Sequence, residues 1–200
     1  QHANTFTCLK SLSETCTGLP IEVLVVDDCS PEPAAEALAQ VNGVRFLRNA
    51  ENLGFLQTCN KAVAETRGEF VVLLNNDTLA LPGWLPALMA VFESDAKAGL
   101  AGAKLLFADG RLQEAGGIVW RDGSASNYGR GDDPRRPEFN YRRDVDYCSG
   151  ACLMIRRALW DELGGFDVRY APAYYEDTDL AFRVREAGYR VVYQPHAEVV

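Results

Sequence analysis

The sequence predicts an α/β protein in which a mostly parallel sheet is flanked by helices. Short apolar runs rich in β-branched residues alternate with stretches of helical periodicity, which is the pattern of successive βαβ units. The clearest run, Phe70 to Leu74, is expected to be a strand buried on both faces, as in parallel sheets. It ends in Asn75, Asn76 and Asp77, at the edge where open α/β sheets bind ligands. A turn without a ligand is the alternative, because Asn and Asp favour turns.

The first 70 residues are predicted to alternate between helices and short strands. Apolar residues at spacings of three or four indicate the helices, and continuous apolar runs indicate the strands. The expected order is helix 3–16, strand 21–26, helix 32–40, strand 44–47, and a loop at 52–55 that leads into a helix ending at Glu65. Ser30 and Pro31 suit the start of the second helix, and Gly68 suits the end of the third.

The rest of the chain adds further elements of both kinds. The expected order is helix 84–92, strand 99–107, strand 147–156, helices 158–163 and 177–187, and strand 189–193. Gly164 and Gly188 follow two of these helices and are expected to end them. Nothing in the composition divides the chain, so we expect one domain over residues 1–200.

Residues 109–143 interrupt this regular pattern with several Gly and Pro, many Arg and Asp, and little periodicity. This composition predicts a long hairpin or a mobile loop of the kind that carries function and orders around a ligand. Its arginines are expected to supply the main local positive charge for a phosphate-bearing ligand. They are Arg121, Arg130, Arg135, Arg136, Arg142 and Arg143. A solvated loop without a ligand role is the alternative.

The composition excludes several classes of protein. The 200 residues are 48% hydrophobic and 24% charged, which is typical of a globular chain. A net charge of −8 argues against a nucleic-acid partner, and it means that an anionic substrate would need a metal ion or local arginines. No apolar run approaches the roughly 20 residues of a membrane helix, and no signal peptide is recognisable, so a cytoplasmic location is expected.

The six cysteines are expected to be reduced thiols rather than disulfides or zinc ligands. No two of them form a Cys-x-x-Cys pair. Cys148 and Cys152 with His196 would make a poor zinc site, because the spacing is wrong and a fourth ligand is missing.

Six short motifs follow one another along almost the whole chain. They are VVDDCS (25–30), NLGF (52–55), LNNDT (74–78), SGACLMIRR (149–157), GGFD (164–167) and EDTDLAFR (176–183). In this order the motifs resemble those of the family 2 glycosyltransferases, and most closely the rhamnosyltransferase-type members. Each motif alone is weak, but six in order on the elements predicted for them form a specific pattern.

The resemblance implies a GT-A fold, which is Rossmann-like. Residues 1–107 would form the nucleotide-sugar-binding part, and residues 108–200 the smaller part that binds the acceptor and catalyses transfer. The implied reaction moves a sugar, with inversion, from a nucleotide-diphosphate sugar to a glycan, lipid-linked or other acceptor in polysaccharide or glycoconjugate assembly. The implied cofactor is Mg²⁺ or Mn²⁺. Peripheral association with the inner face of a membrane and homo-oligomer formation are both left open.

The resemblance also assigns roles to the polar residues after the strands. Asp28, with Asp27 beside it, matches the aspartate that contacts the nucleotide base, although both could instead cap a helix. Asn75, Asn76 and Asp77 match the DxD-type element that binds the donor, with Asp77 as the expected metal ligand. Because amides replace acidic residues here, the metal is expected to bind weakly without the diphosphate.

Glu176 and Asp177 match the catalytic acidic motif of the family. An inverting transfer needs a base to take the proton of the acceptor hydroxyl, and Asp177 is the preferred candidate over Glu176. The alternative is an acidic helix start followed by an ion pair between Asp179 and Arg183. Four aromatic residues are candidates for stacking on sugars or for packing: Trp84, Trp120, Tyr174 and Tyr175.

Two departures from the family pattern concern the ends of the chain. Family members begin with an apolar strand that would precede Gln1, and they often place a metal-binding histidine just after the last strand. The chain is therefore expected to be a fragment that lacks this strand and its C-terminal end. His196 lies close to the second feature but is expected to be a surface residue.

Two other functions remain open at this stage. A catalytically inert domain that binds nucleotide sugar or glycan is the first alternative to the enzyme. A sugar-phosphate nucleotidyltransferase is less favoured, because no Gly-rich, Arg-containing phosphate loop lies near the start of the sequence.

Overall fold

The computed structural model describes residues 2–30 and 35–200. The helices are α1 (His2–Thr15), α2 (Ala35–Leu38), α3 (Gly54–Ala64), α4 (Trp84–Ser94), α5 (Arg157–Leu163) and α6 (Glu176–Glu186). The strands are β1 (Val23–Asp27), β2 (Val44–Arg48), β3 (Phe70–Leu74), β4 (Ala98–Leu106), β5 (Leu112–Glu114), β6 (Gly117–Val119), β7 (Ala125–Asn127), β8 (Arg143–Asp144), β9 (Cys152–Arg156) and β10 (Arg190–Val199). Single 3₁₀ turns occur at Pro137–Phe139 and Val168–Tyr170.

The main sheet has six strands, in the order β3-β9-β4-β10-β8, with β5 paired to β4. Strands β1 and β2 form a separate parallel pair, and β6 and β7 form an antiparallel hairpin. Within the main sheet, β4 and β10 are parallel, whereas the other pairs are antiparallel. The protein is therefore α/β as predicted, and its main sheet is mixed.

Helices cover both faces of the main sheet. Apolar side chains of α4, such as Leu88 and Val91, pack on one face together with the C-terminal half of α1. Helices α3, α5 and α6 pack on the other face, where Leu180 of α6 is fully buried. Successive side chains of β9 point to opposite faces of the sheet. Leu153 therefore packs in the cluster with α3, α5 and α6, and Met154 packs in the cluster with α4.

The prediction that Phe70–Leu74 is a strand is confirmed, but the expected parallel pairing is wrong. β3 pairs antiparallel with β9, from Phe70 opposite Arg156 to Leu74 opposite Cys152. Only Val71 and Leu73 are fully buried, so burial alternates along the strand. An apolar run indicates that both faces of a strand are covered, but it does not indicate which other strand pairs with that strand. Here β9 comes from some 80 residues later in the chain and inserts between β3 and β4.

Most predicted helices and strands are found close to their expected bounds. The strand expected over 147–156 is shorter and begins at Cys152, because residues 149–151 form a turn. The last strand is longer than expected and continues through Pro195 with an irregularity in its pairing to β4. The predicted start of the second helix at Pro31 and Glu32 lies outside the described residues.

Residues 109–143 were expected to form a long hairpin or a mobile loop, and the structure shows several short elements that include the β6–β7 hairpin. They contain β5, β6, β7 and a 3₁₀ turn, and Leu112 and Phe139 are buried in a small cluster with Tyr193 of β10. These contacts join residues far apart in the sequence, so the local composition did not reveal them.

The arginines of this segment are largely engaged within the protein. Arg135 forms an ion pair with Asp133, and Arg136 pairs with Glu138. Arg143 donates to two backbone carbonyl oxygens. Of the six arginines expected to offer positive charge, Arg135 and Arg136 are thus ion-paired within the protein.

Candidate active site

Three distant parts of the chain meet at the turn formed by residues 149–151, just before β9. The turn offers two N–H groups and one carbonyl oxygen in succession. Its contacts are Ser149 N–H to Glu114 Oε1 (3.0 Å), Gly150 N–H to Asp177 Oδ2 (3.0 Å) and Asn75 N–H to the Ala151 carbonyl oxygen (3.0 Å). The end of β3, the start of α6 and the end of β5 are thereby joined at one place.

The Asn75–Thr78 segment forms a turn directly after β3, and part of it is exposed to solvent. The Thr78 hydroxyl donates to the Asn75 carbonyl oxygen at 2.7 Å, which closes the turn. The Asn76 side chain donates to Thr5 of α1 at 2.9 Å. Asn76 and Asp77 are exposed, and the Asp77 carboxylate forms no ion pair with the described residues. The turn therefore leaves the Asp77 carboxylate exposed and free to bind a cation.

The donor set suits a hard divalent cation that is shared with a substrate. No group of three or more His, Cys, Asp or Glu side chains suited to a metal ion occurs in the part of the chain that the structure describes. Asp77 offers one exposed carboxylate, with the neighbouring amide of Asn76. Mg²⁺ typically binds through one or two carboxylates together with substrate phosphates. These residues fit a metal that binds with a diphosphate.

Asp28 holds the start of α3 rather than its own helix. Its Oδ1 accepts hydrogen bonds from Asn49 Nδ2 (2.8 Å) and Leu53 N–H (2.9 Å), and its Oδ2 accepts one from Gly54 N–H (2.8 Å). Burial raises the pKa of Asp28, but these donors outweigh it and hold that pKa below its usual value. Asp28 is thus an anion that connects the end of β1 to the NLGF motif.

Asp27, by contrast, has a local structural role. Its side chain is buried, accepts the Ser30 N–H at 2.9 Å and pairs with Arg48 of β2 at 3.1 Å. Of the two neighbouring carboxylates, only Asp28 reaches towards α3.

The NLGF motif links Asp28 to the turn at residues 149–151. Gly54 has a φ of 77°, and a Cβ added there would lie 3.6 Å from the carbonyl oxygen of Pro172 in the loop before α6. The ring of Phe55 lies against Gly150, where an added Cβ would be only 3.3 Å from the ring atoms. A side chain at position 150 would therefore crowd the Phe55 ring, and it would come into ordinary contact with Asp177 at 3.9 Å.

The two acidic residues at the start of α6 have different surroundings. Asp177 is half-buried, and its Oδ1 accepts Thr178 N–H at 2.7 Å while its Oδ2 accepts Gly150 N–H. Glu176 is buried, and its charge contributes to the raised pKa of Cys59 on α3, so it faces that helix. Burial raises the pKa of Glu176, and the charge of Asp177 adds to this effect. Asp177 is the more accessible of the two.

Glu114 lies at the same turn, and sequence reasoning did not select it. It is 1% exposed, and burial raises its pKa to about 8, an effect that the charge of Asp177 strengthens. The only signal in the sequence is an acidic residue two positions after Leu112, on the inward side of a short strand. That signal is weak without knowledge of which residues lie opposite.

Exposed aromatic side chains surround the start of α6. Tyr174 is 82% exposed, and the Tyr175 hydroxyl donates to the Gly123 carbonyl oxygen at 3.2 Å. This bond connects the loop before α6 to the β6–β7 hairpin, on which Trp120 is 57% exposed. Trp84, at the start of α4, is buried in the hydrophobic core, so it is not available to a ligand.

Other features of the protein lie apart from these carboxylates. All six cysteines are free thiols, and His196 is exposed within β10. A groove of about 510 Å³ lies near the C-terminal end of α6. Two of the residues that line it, Arg185 of α6 and Arg190 of β10, form ion pairs with aspartates. Volume alone does not indicate the reactive site here. None of the described helices is long and apolar enough to cross a membrane.

The arrangement of these motifs corresponds to that of a known protein family. The model of the family "Glycosyl transferase family 2" matches residues 5–164, which is most of the chain and includes the 149–151 turn. The chain belongs to this family.

Curated relatives of this family 2 domain are bacterial. It is 34% identical to the uncharacterized protein y4gI of Sinorhizobium fredii, covering 89% of the domain and 21% of that protein. It is 32% identical to the N-acetylglucosaminyl-diphospho-decaprenol L-rhamnosyltransferase of Mycobacterium tuberculosis, covering 96% of the domain and 69% of the relative. The domain thus spans about a fifth of the first relative and about two thirds of the second.

Solved structures share the fold of the family 2 domain at low sequence identity. GalNAc-T7 with UDP, GalNAc and Mn²⁺ has a TM-score of 0.83 at 14% identity, over 100% of the domain and 40% of that chain. The mannosyltransferase PcManGT from Pyrobaculum calidifontis, with GDP-Man and Mn²⁺, has a TM-score of 0.71 at 19% identity, over 100% and 53%. These neighbours are GT-A glycosyltransferases, which confirms the predicted fold class.

Proposed function

We propose that this domain transfers a sugar from a nucleotide-diphosphate sugar to a hydroxyl of a glycan or lipid-linked acceptor. One observation carries the proposal: in a family 2 chain, the DxD-type turn and the acidic start of α6 are both bonded to the same three-residue turn. A donor group held at Asp77 would therefore lie beside the carboxylate of Asp177. The named relative that acts on a decaprenol-linked substrate supports a lipid-linked acceptor.

Donor binding is assigned to the ends of β1 and β3. Asp77 would hold Mg²⁺ or Mn²⁺ together with the diphosphate, and the bound cation would offset charge on the departing diphosphate. The Mn²⁺ in both structural neighbours supports this cofactor. The base of the donor would lie near Asp28, which is fixed as an anion by the start of α3.

Asp177 is assigned as the general base of an inverting transfer. The acceptor oxygen attacks the anomeric carbon and its proton passes to Asp177, while the bond from that carbon to the diphosphate oxygen breaks. The nucleoside diphosphate leaves with the bonding electrons. The bond from Gly150 N–H orients Asp177 Oδ2, so the carboxylate has a fixed direction.

The exposed aromatic residues beside α6 are assigned to the acceptor. Trp120→Ala is expected to raise the KM for the acceptor about fivefold, which corresponds to roughly 1 kcal/mol of lost stacking. The KM for the donor should stay unchanged, because Trp120 lies on the β6–β7 hairpin and not at the ends of β1 and β3. Steady-state kinetics with each substrate varied in turn gives both values.

Tyr141 provides a matched control for this change. It is 55% exposed, close to the value for Trp120, and it contacts Arg143 of β8 instead of the α6 region. Tyr141→Ala should leave both KM values unchanged. An equal rise in acceptor KM for both variants would argue against a specific acceptor role for Trp120.

A donor screen tests the proposed function as a whole. The chain is incubated with UDP-, GDP- and TDP-sugars in the presence of Mg²⁺ or Mn²⁺ and a polyprenyl-linked or free glycan. Release of the nucleoside diphosphate that depends on the acceptor is the expected result. Binding of a nucleotide sugar without release would indicate an inert binding domain, and release of pyrophosphate would indicate a nucleotidyltransferase.

A further inference from the structure

Glu114 is a buried acid at a position where the fold calls for an apolar side chain. It occupies an inward position of β5, two residues after Leu112, and both residues are fully enclosed. Burying a carboxyl group costs free energy unless hydrogen bonds or opposite charges compensate for it. Buried titratable groups beside a candidate site are themselves candidates for a functional role.

The contacts of Glu114 lead directly to Asp177. Glu114 Oε1 accepts Ser149 N–H at 3.0 Å, and Gly150 N–H, one residue further on, donates to Asp177 Oδ2 at 3.0 Å. The two N–H groups belong to consecutive planar peptide units joined at the Ser149 Cα, so only the two backbone dihedral angles of Ser149 separate the group held by Glu114 from the group that holds Asp177. The second oxygen of Glu114 is buried and has no hydrogen-bond partner within the described ranges.

The charges around Glu114 favour its neutral form. The titratable groups that face it are Asp177 from α6, Tyr147 and Cys148 from the segment before the turn, Tyr193 from β10 and Arg130 after β7. Burial raises the pKa of Glu114 most strongly, and the effects of Ser149 N–H and Arg130 are not sufficient to reverse the shift. An ionised Glu114 would also place a second negative charge beside Asp177, which opposes ionisation of both.

We propose that Glu114 is a positioning residue for the base: as a neutral carboxylic acid it holds the Ser149–Gly150 turn, and this turn holds the carboxylate of Asp177. The inference rests on the proposed role of Asp177. It predicts that the Asp177 carboxylate loses its fixed direction when Glu114 ionises or when the acceptor oxygen of Glu114 is removed by substitution. Donor binding should change less than turnover, because Glu114 contacts Ser149, whereas the turn after β3 is bonded two residues further on, at Ala151.

Two substitutions with side chains of similar size separate the effect of the Glu114 protonation state from the effect of its hydrogen bond with Ser149 N–H. Glu114→Gln keeps an oxygen for Ser149 N–H and cannot ionise, so turnover at pH 7 should stay within about threefold of the wild type. Its decline at alkaline pH, centred near pH 8 in the wild type, should disappear. Glu114→Leu fills a similar space without an acceptor, and its turnover should fall about tenfold or more, with a much smaller change in donor KM.

Contrary results are equally clear. Loss of turnover in Glu114→Gln comparable to that of Asp177→Asn would overturn the positioning role, and so would full turnover in Glu114→Leu. If the alkaline decline in turnover persists unchanged in Glu114→Gln, another group causes the decline, and the proposed effect of Glu114 ionisation is overturned. A thermal melt of each variant confirms that it is folded before kinetics are compared.

The pH dependence of stability tests the neutral state without any activity. Because the pKa is raised from 4.5 to about 8, the folded protein keeps a proton that the unfolded chain releases between these values. The stability contributed by Glu114 therefore declines as pH rises from about 4.5 to about 8. Relative to the wild type, the Tm of Glu114→Gln should rise across this window by about 5 °C or more.

The two readouts distinguish failure of this inference from failure of the proposed function. Parallel Tm profiles for the wild type and Glu114→Gln would show that Glu114 is ionised at neutral pH, and they would overturn this inference alone. Absence of sugar transfer by the wild type with every donor would overturn the proposed function and, with it, the role assigned to Glu114.

Discussion

Asp177→Asn is expected to lower the rate of sugar transfer by a factor on the order of 10² or more, with donor affinity nearly unchanged. The amide keeps the shape of the side chain, and its oxygen can still accept the Gly150 N–H. It cannot take a proton from the acceptor at neutral pH. Single-turnover kinetics, with donor affinity measured separately by calorimetry, gives both quantities.

Glu176→Gln is the matched control for this change. Glu176 is buried and faces Cys59 of α3, so its amide variant should affect turnover much less than Asp177→Asn. If Glu176→Gln loses transfer and Asp177→Asn retains it, the roles of the two residues are reversed. If neither variant loses transfer, the acidic start of α6 is structural and the proposed mechanism is wrong. Circular dichroism and a thermal melt exclude loss of folding as the cause.

Asp77→Ala is expected to weaken binding of a nucleoside diphosphate by a factor on the order of 10² and to remove its dependence on Mn²⁺. Asp77 is exposed directly after β3 in a chain with a net charge of −8, so a dianionic diphosphate needs a cation there. Calorimetric titrations with UDP, GDP and TDP, each with and without Mn²⁺, measure the effect.

Asp161→Ala supplies a control with the same change in net charge. Asp161 is exposed on α5 and is remote in sequence from the turn after β3. This variant should bind nucleotide as the wild type does, which separates a local ligand effect from a general gain in positive charge. Equal affinities for the wild type and Asp77→Ala would leave residues 75–78 as a turn without a ligand role.

The sequence identified candidate residues where they follow a strand or begin a helix, and the structure confirms those element boundaries. Asn75 to Asp77 and Asp28 each follow an apolar run, and Glu176 and Asp177 begin a periodic helix. Such positions are visible locally, because a strand or helix boundary is marked by a change of residue type. The resemblance to a family then grouped these positions before any distance between them was known.

What the sequence did not predict depends on contacts between distant segments. Glu114 acquires its role from Ser149, 35 residues later, and the turn at 149–151 was expected to be part of a strand. The folding of residues 109–143 likewise depends on Phe139 reaching Tyr193 of β10. Local periodicity contains no information about such pairings, because the same short strand could lie beside several partners.

The separation of β1 and β2 from the main sheet has a consequence for how the protein opens. This pair is attached largely through α3, by the bonds of Asp28 to the start of the helix and of Glu22 to Arg67 and Gly68 beyond its end. Strands β4, β9 and β10 are instead buried between two layers of helices. Local unfolding of the β1–β2 unit should therefore require less free energy than global unfolding.

Native-state hydrogen exchange would resolve this difference as two classes of backbone amide. Amides of β1 and β2 should exchange through local openings, whereas those of β4 and β9 should exchange only through global unfolding. A nucleotide that engages both Asp28 and Asp77 would bind the closed form alone and so slow exchange of the first class most strongly. The β1–β2 unit, which carries the residue assigned to the nucleotide base, would thus be the part that the ligand stabilises most.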